Sequence, residues 1–304
     1  MKTAEERMRE FLQYHKNGDG ECNTVILCKW ADRHGLKFQQ RYELAFYFSI
    51  TYSVISAIVL LEHQEEMLSD IDGWVEKNKS NIIFQSDRKY MRMKDSFQRT
   101  LHFWNKNLRD GKAFVQSVHS GDRISLEKAV NTVEKWEMFG RFSAFLFLEM
   151  FVNLTKLPAE NTTIVWKDGN TATSGLLNLF GYDDAATKFD KTKRLLIQPK
   201  QMDKMLAYTI DRIRRYGGST NVTEIETSLC AYRKFYKGSR YNGYYLDRML
   251  EEINATKERY PEITAEVLEM RREAFQHKYL GEISGWNKIR PRQKKLYRET
   301  GIIA

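Results

Sequence analysis

The sequence predicts an all-α protein, a helical bundle with one small β-hairpin near residues 162–174. Two observations predict this class. Apolar residues recur at helical spacing along most of the chain, and a strand-like alternating pattern occurs at one place. A hydrophobic fraction of 42%, with only 4 Pro and 17 Gly among 304 residues, excludes a disordered or fibrous chain.

The N-terminal half is predicted to contain amphipathic and buried helices, over residues 3–16, 41–70, 87–109 and 125–154. The segment Leu44–Leu61 has 18 residues without a charge, close to the roughly 20 apolar residues that a membrane-spanning helix needs. It contains several hydroxyl-bearing residues and is followed by an acidic amphipathic stretch. We therefore interpret it as a central buried helix, and a membrane span is the alternative.

The C-terminal half follows Pro158 and is also predicted to be mostly helical. The stretch TTIVWKDGNTATS alternates around Asp168-Gly169, a pair typical of two-residue hairpin turns. Thr223 and Glu226 have the spacing of a capping box at the start of a helix. Further helices are predicted over residues 243–260, before Pro261, and 264–279.

Positive charge is concentrated in the second half of the chain. Residues 1–150 carry 22 Lys and Arg against 21 Asp and Glu, whereas residues 151–304 carry 27 against 19. The excess lies in three stretches, residues 188–215, 230–248 and 278–298. Lys and Arg neutralise phosphates and release counterions, so this concentration favours a nucleic-acid partner. Solvated helix faces are the alternative for any one stretch.

The domain organisation follows from these patterns. We expect an N-terminal helical half with the buried central helix, residues 1–156, and a basic C-terminal helical half, residues 157–304, within one continuous domain. The few cysteines and the charged N-terminal segment without an apolar stretch predict a cytoplasmic protein.

Several classes of enzyme and site are excluded by missing motifs. The chain has no GxxxxGK[ST] phosphate-binding loop, no GxGxxG dinucleotide fingerprint and no GxSxG nucleophile elbow. Three scattered Cys and six scattered His provide no CxxC pair and no HxxxH or HExxH spacing, so no zinc site is predicted. We expect no cofactor; a divalent metal could assist, but no dense carboxylate cluster demands one.

Aromatic and basic residues interleave most densely over residues 230–248, which contain five tyrosines. Such a mixture suits a nucleic acid, since the bases can stack on the aromatic rings while the Lys and Arg side chains hold the phosphate backbone. Tyr241 and Arg240, in a turn between two helices, are hard to explain as core. Some of the other tyrosines have helical spacing and are expected to be core residues.

Two carboxylates in this region have alternative interpretations. Asp247 shares a helix face with Tyr244, Arg248 and Glu251. It is either the ion-pair partner of Arg248 or an oriented general base. Glu226 either closes the capping box or serves as a base.

Three arginines of the N-terminal half are candidate anion ligands. On a helix, Arg88 and Arg92 would lie four residues apart on one face, an arrangement that can clamp a phosphate. Arg141 lies in a strongly apolar segment, and a buried arginine needs an anionic partner. Glu43, Glu149 or a ligand phosphate could provide it. Tyr52, at the edge of the uncharged segment, has a polar tip that must find a partner or line a cavity.

Five segments of the chain form a recognisable pattern. They are ELAFYFSITYSVISAIVLLE (43–62), DRKYMRMKDSF (87–97), KWEMFGRFSAFLFLE (135–149), ETSLCAYRKFYKGSRYNGYYLDR (226–248) and GWNKIRPRQKKLYRETG (285–301). Together they resemble the viral amino acid:DNA transferases, also called α-glutamyl/putrescinyl-thymine pyrophosphorylases, and the likeness covers most of the chain, in order. A related helical domain accompanies the 5-hydroxymethyl-deoxyuridine DNA kinases, whose phosphate-binding loop this chain lacks.

The resemblance implies a DNA-modifying enzyme of bacteriophages, acting in the infected host cytoplasm. Its substrate would be double-stranded viral DNA in which 5-hydroxymethyl-deoxyuridine has been phosphorylated or pyrophosphorylated. The enzyme would replace that group with the amine of an amino acid or a polyamine. A 5-hydroxymethyl-deoxyuridine DNA kinase is a further expected partner. A non-catalytic DNA-binding protein and a glycosylase-like base-flipping enzyme are the alternatives.

Roles for the candidate residues follow from this implied reaction. The expected catalytic residues are Glu226, Asp247 and Arg141. The expected contacts to the activated base and the amine are Arg88, Arg92, Lys94, Tyr52, Tyr241, Tyr244 and Trp286. The expected contacts to the DNA backbone are Lys234, Arg240, Arg290, Arg292 and Lys295.

Overall fold

The computed structural model describes residues 2–18, 20–93, 95–160, 163–167, 170–238, 240 and 243–275, without the side chains of residues 86, 87 and 89. These residues divide into two compact units. Unit 1 comprises the described residues within 1–22, 161–248 and 272–275, and unit 2 comprises those within 23–160 and 249–271. The division of the chain at residue 156 stays a prediction.

The all-α class is confirmed, since helices account for most of the described residues. In chain order the α-helices are α1 (Ala4–Asn17), α2 (Cys22–Arg33), α3 (Phe38–Thr51), α4 (Val54–Glu62), α5 (Gln64–Ser69), α6 (Ile71–Asn78), α7 (Ser96–Asn107), α8 (Gly111–Val118), α9 (Leu126–Val133), α10 (Arg141–Thr155), α11 (Ile164–Lys167), α12 (Asn170–Leu179), α13 (Asp183–Thr192), α14 (Pro199–Tyr216), α15 (Val222–Tyr236), α16 (Tyr244–Thr256) and α17 (Pro261–Ala274). Short 3₁₀ helices cover Lys79–Asn81 and Ser86–Arg92.

A small sheet is present, but not where the sequence predicts it. Strands β1 (His119–Ser120) and β2 (Arg123–Ser125) form an antiparallel hairpin, and β3 (Ala159–Glu160) pairs parallel to β2. The hairpin predicted near residues 162–174 is wrong, because the described residues of that stretch lie mostly in α11 and α12. Ile164, Val165 and Trp166 are all buried. A continuous apolar run of this kind does not distinguish a strand from a buried helical turn.

The uncharged segment is buried as predicted, but it is not one helix. It ends α3 at Thr51 and begins α4 at Val54. Tyr52, between them, has a φ of 55°, which a continuous α-helix does not allow. Among the described residues, no helix is long and apolar enough to cross a membrane.

Two other predicted helices are interrupted in the same way. The helix predicted over residues 87–109 is a 3₁₀ helix followed by α7, with Asp95 at a φ of 68° before α7. The helix predicted over residues 125–154 is divided into α9 and α10, with Met138 at a φ of 61° between them. Apolar spacing alone does not reveal such breaks, since it continues on both sides of each.

Aromatic rings fill the core of unit 2 where α3 packs against α10. Phe46 stacks on Trp104, with ring centroids 3.7 Å apart. Tyr42 meets Phe147 edge-on at 5.8 Å, and its hydroxyl donates to the carbonyl of Leu108 at 2.9 Å. Such rings bury large apolar areas in defined geometries, so they fix how α3 packs against α10, which carries Phe147, and against α7, which carries Trp104.

An ion pair joins three helices of unit 1. The guanidinium of Arg7, in α1, donates to both carboxylate oxygens of Asp183, in α13, at 2.9 and 3.1 Å. It also lies 4.9 Å from the ring of Tyr236, in α15, whose hydroxyl donates to Asp183 at 3.1 Å. Burial raises the pKa of Asp183, but the hydrogen bonds, led by that from Arg7, outweigh it and hold the pKa below its ordinary value. The pair therefore has a structural role.

A close contact between α12 and α15 in unit 1 depends on Gly175 in α12. A Cβ atom at this position would fall inside the contact distance of the backbone carbonyl of Leu229 in α15. We expect Gly175→Ala to lower the free energy of unfolding by about 2–3 kcal/mol, because a backbone group cannot move away without shifting its helix. Urea denaturation measures this. Gly140→Ala, where the added carbon meets open space, is the control and should cost less than about 1 kcal/mol; equal costs would contradict the close contact.

His15 is buried between α1 and α15. Its Nε2 lies 2.7 Å from the carbonyl oxygen of Ser219, and its Nδ1 lies 2.8 Å from the hydroxyl of Ser228. Because a carbonyl only accepts, Nε2 donates to Ser219 and Nδ1 accepts from Ser228 in the neutral ring. Burial lowers the pKa of His15, although the Ser219 carbonyl opposes the shift.

This lowered pKa predicts a loss of stability in mild acid. Below about pH 6.5 the unfolded chain binds a proton at residue 15 that the folded chain does not, so the free energy of unfolding falls by up to about 1.4 kcal/mol per pH unit. Urea denaturation at several pH values between 7.5 and 5 measures how the free energy of unfolding depends on pH. His15→Gln should remove the part of this dependence that His15 causes. His119→Gln, at an exposed position, is the control; equal slopes in both variants would contradict the assignment.

Candidate functional site

The break between α3 and α4 shapes a candidate site in unit 2. The backbone N–H of Tyr52 donates to the carbonyl of Phe48 at 2.6 Å, which closes α3. Ser53 then caps α4, since its hydroxyl accepts from the N–H of Ser56 at 3.0 Å. The N-terminus of α4, with its partial positive charge, is thus placed inside the core rather than at the surface.

A buried carboxylate occupies the N-terminus of α4. Glu252, in α16, is 5% exposed. Its Oε1 accepts from the Ser53 hydroxyl and from the N–H of Ile55, the latter at 2.8 Å. Its Oε2 accepts from Gln85 Nε2 at 3.2 Å. Sequence reasoning missed Glu252 and named Glu251 beside it; Ser53, a good N-cap inside an apolar run, was the available signal.

Arg88 is buried at the other side of the same break. Its side chain is almost fully enclosed, and its Nε donates to the carbonyl of Ser49, in the last turn of α3, at 2.6 Å. The guanidinium lies 4.6 Å from the ring of Phe142. A cation near the C-terminus of a helix is favourable, so Arg88 supports the end of α3 while it holds the Phe142 ring.

The shared face predicted for Arg88 and Arg92 is wrong. Both lie in a 3₁₀ helix, which has three residues per turn, so residues four apart point about 120° away from each other. Arg88 is buried, whereas Arg92 is exposed and its Nη2 donates to the carbonyl of Phe84. The two guanidinium groups therefore do not form the predicted clamp, and a role of either one in anion binding stays a prediction.

Arg141 is not buried within its helix, contrary to the prediction. Gly140 is the N-cap of α10, so Arg141 is the first helical residue, and its side chain is 40% exposed. Its Nη1 pairs with Glu134 at 3.0 Å. Of the two partners considered from the sequence, Glu43 accepts from Gln39 Nε2 at 3.0 Å and Glu149 accepts from Thr24 Oγ1 at 3.3 Å. Arg141 is accessible to an anionic ligand.

An exposed aromatic ring connects these predicted residues. Phe142 is 52% exposed and follows Arg141. Its ring contacts the Arg88 guanidinium and lies 6.2 Å, edge-on, from Tyr52. We call Tyr52, Arg88, Arg141 and Phe142 the Phe142 corner. It combines a stacking surface for a base with a half-exposed guanidinium for an anion.

Glu226 and Asp247 are buried carboxylates of unit 1. Asn221 caps α15 by accepting from the N–H of Thr223 at 3.1 Å, so the predicted capping box of Thr223 and Glu226 is wrong. Glu226 lies one turn further on and accepts from Cys230 Sγ at 3.1 Å. Asp247 lies in the first turn of α16 and is 1% exposed.

The tyrosine-rich turn combines a cation with aromatic rings. The Arg240 guanidinium lies 4.6 Å from the ring of Tyr244 and 4.9 Å from that of Tyr245, and it donates to the Tyr245 hydroxyl. The backbone N–H of Arg240 donates to the carbonyl of Lys234 at 3.2 Å. Arg240, Tyr244 and Lys234 therefore belong to one local cluster, which we call the Arg240 cluster.

Several predicted residues lie outside the described part of the chain: Lys94, Tyr241, Trp286, Arg290, Arg292 and Lys295. Within the described ranges, no group of three or more His, Cys, Asp and Glu side chains could hold a metal ion. Both expectations, that the protein has no cofactor and that a divalent metal could assist the reaction, stay predictions.

Comparison with known proteins assigns the chain to a family. The family model described as "Amino acid:DNA transferase" matches residues 34–241, about two thirds of the sequence. The match includes the Phe142 corner, Glu226 and Arg240. A comparison with curated proteins found no significant match. Because the family model spans more than half of its length, the chain belongs to the amino acid:DNA transferase family.

Proposed function

We propose that this amino acid:DNA transferase modifies thymine in viral DNA. It replaces the phosphate or pyrophosphate of 5-(phospho/pyrophospho)methyl-deoxyuridine with the amine of an amino acid or a polyamine. The family match over residues 34–241 is the observation that carries the proposal. The accessible Arg141 of unit 2 supports it, since the reaction needs a cation for the leaving group. Glu226 and Asp247 stay candidate bases for the amine.

The reaction is a substitution at the 5-methylene carbon. The lone pair of the neutral amine forms the new C–N bond, and the C–O bond to the phosphoryl group breaks. The leaving phosphate or pyrophosphate takes the bonding electrons. The nitrogen then carries an extra proton, which a base accepts. No oxidant, reductant or nucleotide is consumed by this step.

The leaving group needs positive charge, and the Phe142 corner can supply it. Arg141 is half-exposed at the start of α10, where the helix dipole adds to its own positive charge. Donors aimed at developing negative charge lower the barrier most. Arg88, buried behind the Phe142 ring, acts as a positioning residue for that ring. Arg92 is exposed and could contact the remaining phosphate oxygens.

The amine attacks only in its neutral form, so a carboxylate should accept a proton. Glu226 and Asp247 are the candidates, and both are largely shielded from water. Asp247→Asn and Glu226→Gln test which of the two carboxylates is the base. The variant that lacks the base should lose turnover at neutral pH and recover part of it at high pH.

We expect the target base to leave the duplex, as enzymes that act on bases commonly extrude them. The Arg240 cluster offers a tyrosine ring and a guanidinium for stacking. Lys234, whose main-chain carbonyl accepts from the Arg240 N–H, is the proposed contact to the DNA backbone. A 5-hydroxymethyl-deoxyuridine DNA kinase is the proposed source of the activated base.

The proposal is tested with DNA carrying 5-hydroxymethyl-deoxyuridine in its free, phosphorylated and pyrophosphorylated forms. Each is incubated with the full chain and a pool of amino acids and polyamines, then digested to nucleosides for mass spectrometry. We expect a nucleoside with an added amine from an activated form and none from the free alcohol. Abasic sites would indicate a glycosylase-like enzyme instead, and binding without any new nucleoside would contradict catalysis.

A further inference from the structure

An open groove runs along α14 in unit 1, apart from the residues discussed above. Its volume is about 410 Å³, within the range of small-molecule sites. Its lining includes Asp203, Leu206, Ala207, Ile210, Asp211 and Arg214. Asp203, Ala207, Asp211 and Arg214 follow a spacing of four, four and three residues, so they form one stripe along the helix.

The charged groups of the groove are held at its two ends. Trp166 Nε1 donates to Asp203 Oδ1 at 3.0 Å, which orients that carboxylate. Asp211 pairs with Arg215, one turn further along the helix, at 2.9 Å. Arg214 is exposed at the end of the stripe. From one end to the other the groove therefore presents two carboxylates and then a guanidinium.

This order of charges restricts the ligand. Asp203 and Asp211 are eight residues apart, about 12 Å along the helix axis, whereas Asp211 and Arg214 are only about 4.5 Å apart. A complementary ligand has one cation, an aliphatic spacer, and then a second cation next to an anion. The apolar side chains of Ala207 and Ile210 lie where the spacer would pack. A free amino acid with a second amine at the end of its side chain has this pattern.

We infer that the α14 groove binds the amine substrate and prefers a diamino acid of the lysine or ornithine type. Arg214 binds the α-carboxylate, Asp211 the α-ammonium and Asp203 the distal ammonium. This inference rests on the proposed function, which requires an amine donor. Putrescine has no carboxylate for Arg214, glutamate would place a second carboxylate near Asp203, and glycine is too short to reach Asp203.

The surface around the groove is suited to bring DNA to it. Lys200 and Lys204 are exposed on α14 at one end, and Arg215 is exposed at the other. These cations attract phosphates, so a DNA strand would pass along the rim of the groove. An amine donor bound there would lie beside its polymeric substrate.

Calorimetric titration of the full chain without DNA tests the assignment. We expect lysine to bind more tightly than glycine, glutamate or putrescine. Asp203→Asn should weaken the binding of lysine at least tenfold and leave the binding of glycine unchanged. Arg214→Ala should weaken the binding of lysine and of glycine but not that of putrescine. Asp184→Asn, an equal change of charge at an exposed position of α13, should change nothing. Equal affinities for all four compounds, or variants that bind lysine as the wild type does, would overturn the inference.

Nucleoside analysis separates this inference from the proposed function. If activated DNA gains an amine, and Asp203→Asn uses lysine with an unchanged KM, the groove assignment fails and the proposed function stands. If lysine binding depends on Asp203 but no activated DNA gains an amine, the proposed function fails and the groove is an amino-acid site of another kind.

Discussion

Arg141→Ala is expected to leave the protein folded and to lower turnover on activated DNA by about 10²–10³-fold. Under the proposed function, the substitution removes the guanidinium that would contact the departing phosphate. The fold should persist because the pair of Arg141 with Glu134 is partly exposed, and such pairs contribute at most about 1 kcal/mol. Single-turnover rates of adduct formation, with the far-ultraviolet circular dichroism spectrum, measure both effects.

Arg99→Ala provides the matched control for this prediction. Arg99 is also an exposed arginine of unit 2 paired with a glutamate, Glu137, but it lies outside the Phe142 corner. We expect its variant to turn over like the wild type. Arg141→Lys should keep part of the rate, because it retains the charge without the planar donor pair. A normal rate for Arg141→Ala would exclude Arg141 from the site.

Glu252→Ala is expected to give one of the largest losses of stability, about 2–4 kcal/mol. The substitution removes the acceptor of the Ser53 hydroxyl, the Ile55 N–H and the Gln85 amide. Buried donors without an acceptor are costly, and here they lie at the N-terminus of a buried helix. Urea denaturation measures the loss.

The control for Glu252 is Glu258→Ala, which removes an exposed carboxylate of the same unit. It should change the free energy of unfolding by no more than about 0.5 kcal/mol. Similar losses in the two variants would show that the Glu252 carboxylate does not stabilise the start of α4. The loss of stability in Glu252→Gln should fall between those of Glu252→Ala and Glu258→Ala, because an amide oxygen still accepts hydrogen bonds but carries no charge.

Periodicity and composition predicted the class of the fold, because they report burial directly. The apolar spacing of residues 41–70 identified a buried helical segment, and the low number of Pro and Gly, with the 42% hydrophobic fraction, excluded a disordered or fibrous chain. The same signal could not reveal the break at Tyr52. A tyrosine with a positive φ is intrinsically unfavourable, so it is imposed by tertiary contacts that a sequence pattern does not contain.

The sequence predicted which residues belong to the candidate site better than it predicted how they are arranged. Arg88, Arg141 and Tyr52 were singled out because polar groups in apolar segments need partners. The structure brings Arg88 and Tyr52 to the Phe142 ring, while Arg141 precedes Phe142 and pairs with Glu134. The prediction that Arg88 and Arg92 share one helix face was wrong, because these residues lie in a 3₁₀ helix and not in the assumed α-helix. Glu252 was missed because its partners are about 170 or more residues away along the chain.

The most direct test of the proposed function follows the nitrogen atom itself. Pyrophosphorylated and phosphorylated 5-hydroxymethyl-deoxyuridine DNA is incubated with the enzyme and a pool of ¹⁵N-labelled amino acids and polyamines, and the released phosphate or pyrophosphate is counted. We expect one labelled amine on the 5-methylene carbon of each modified nucleoside, with one leaving group released for each. Release of the leaving group without label in the nucleoside, or no release at all, would contradict the proposal.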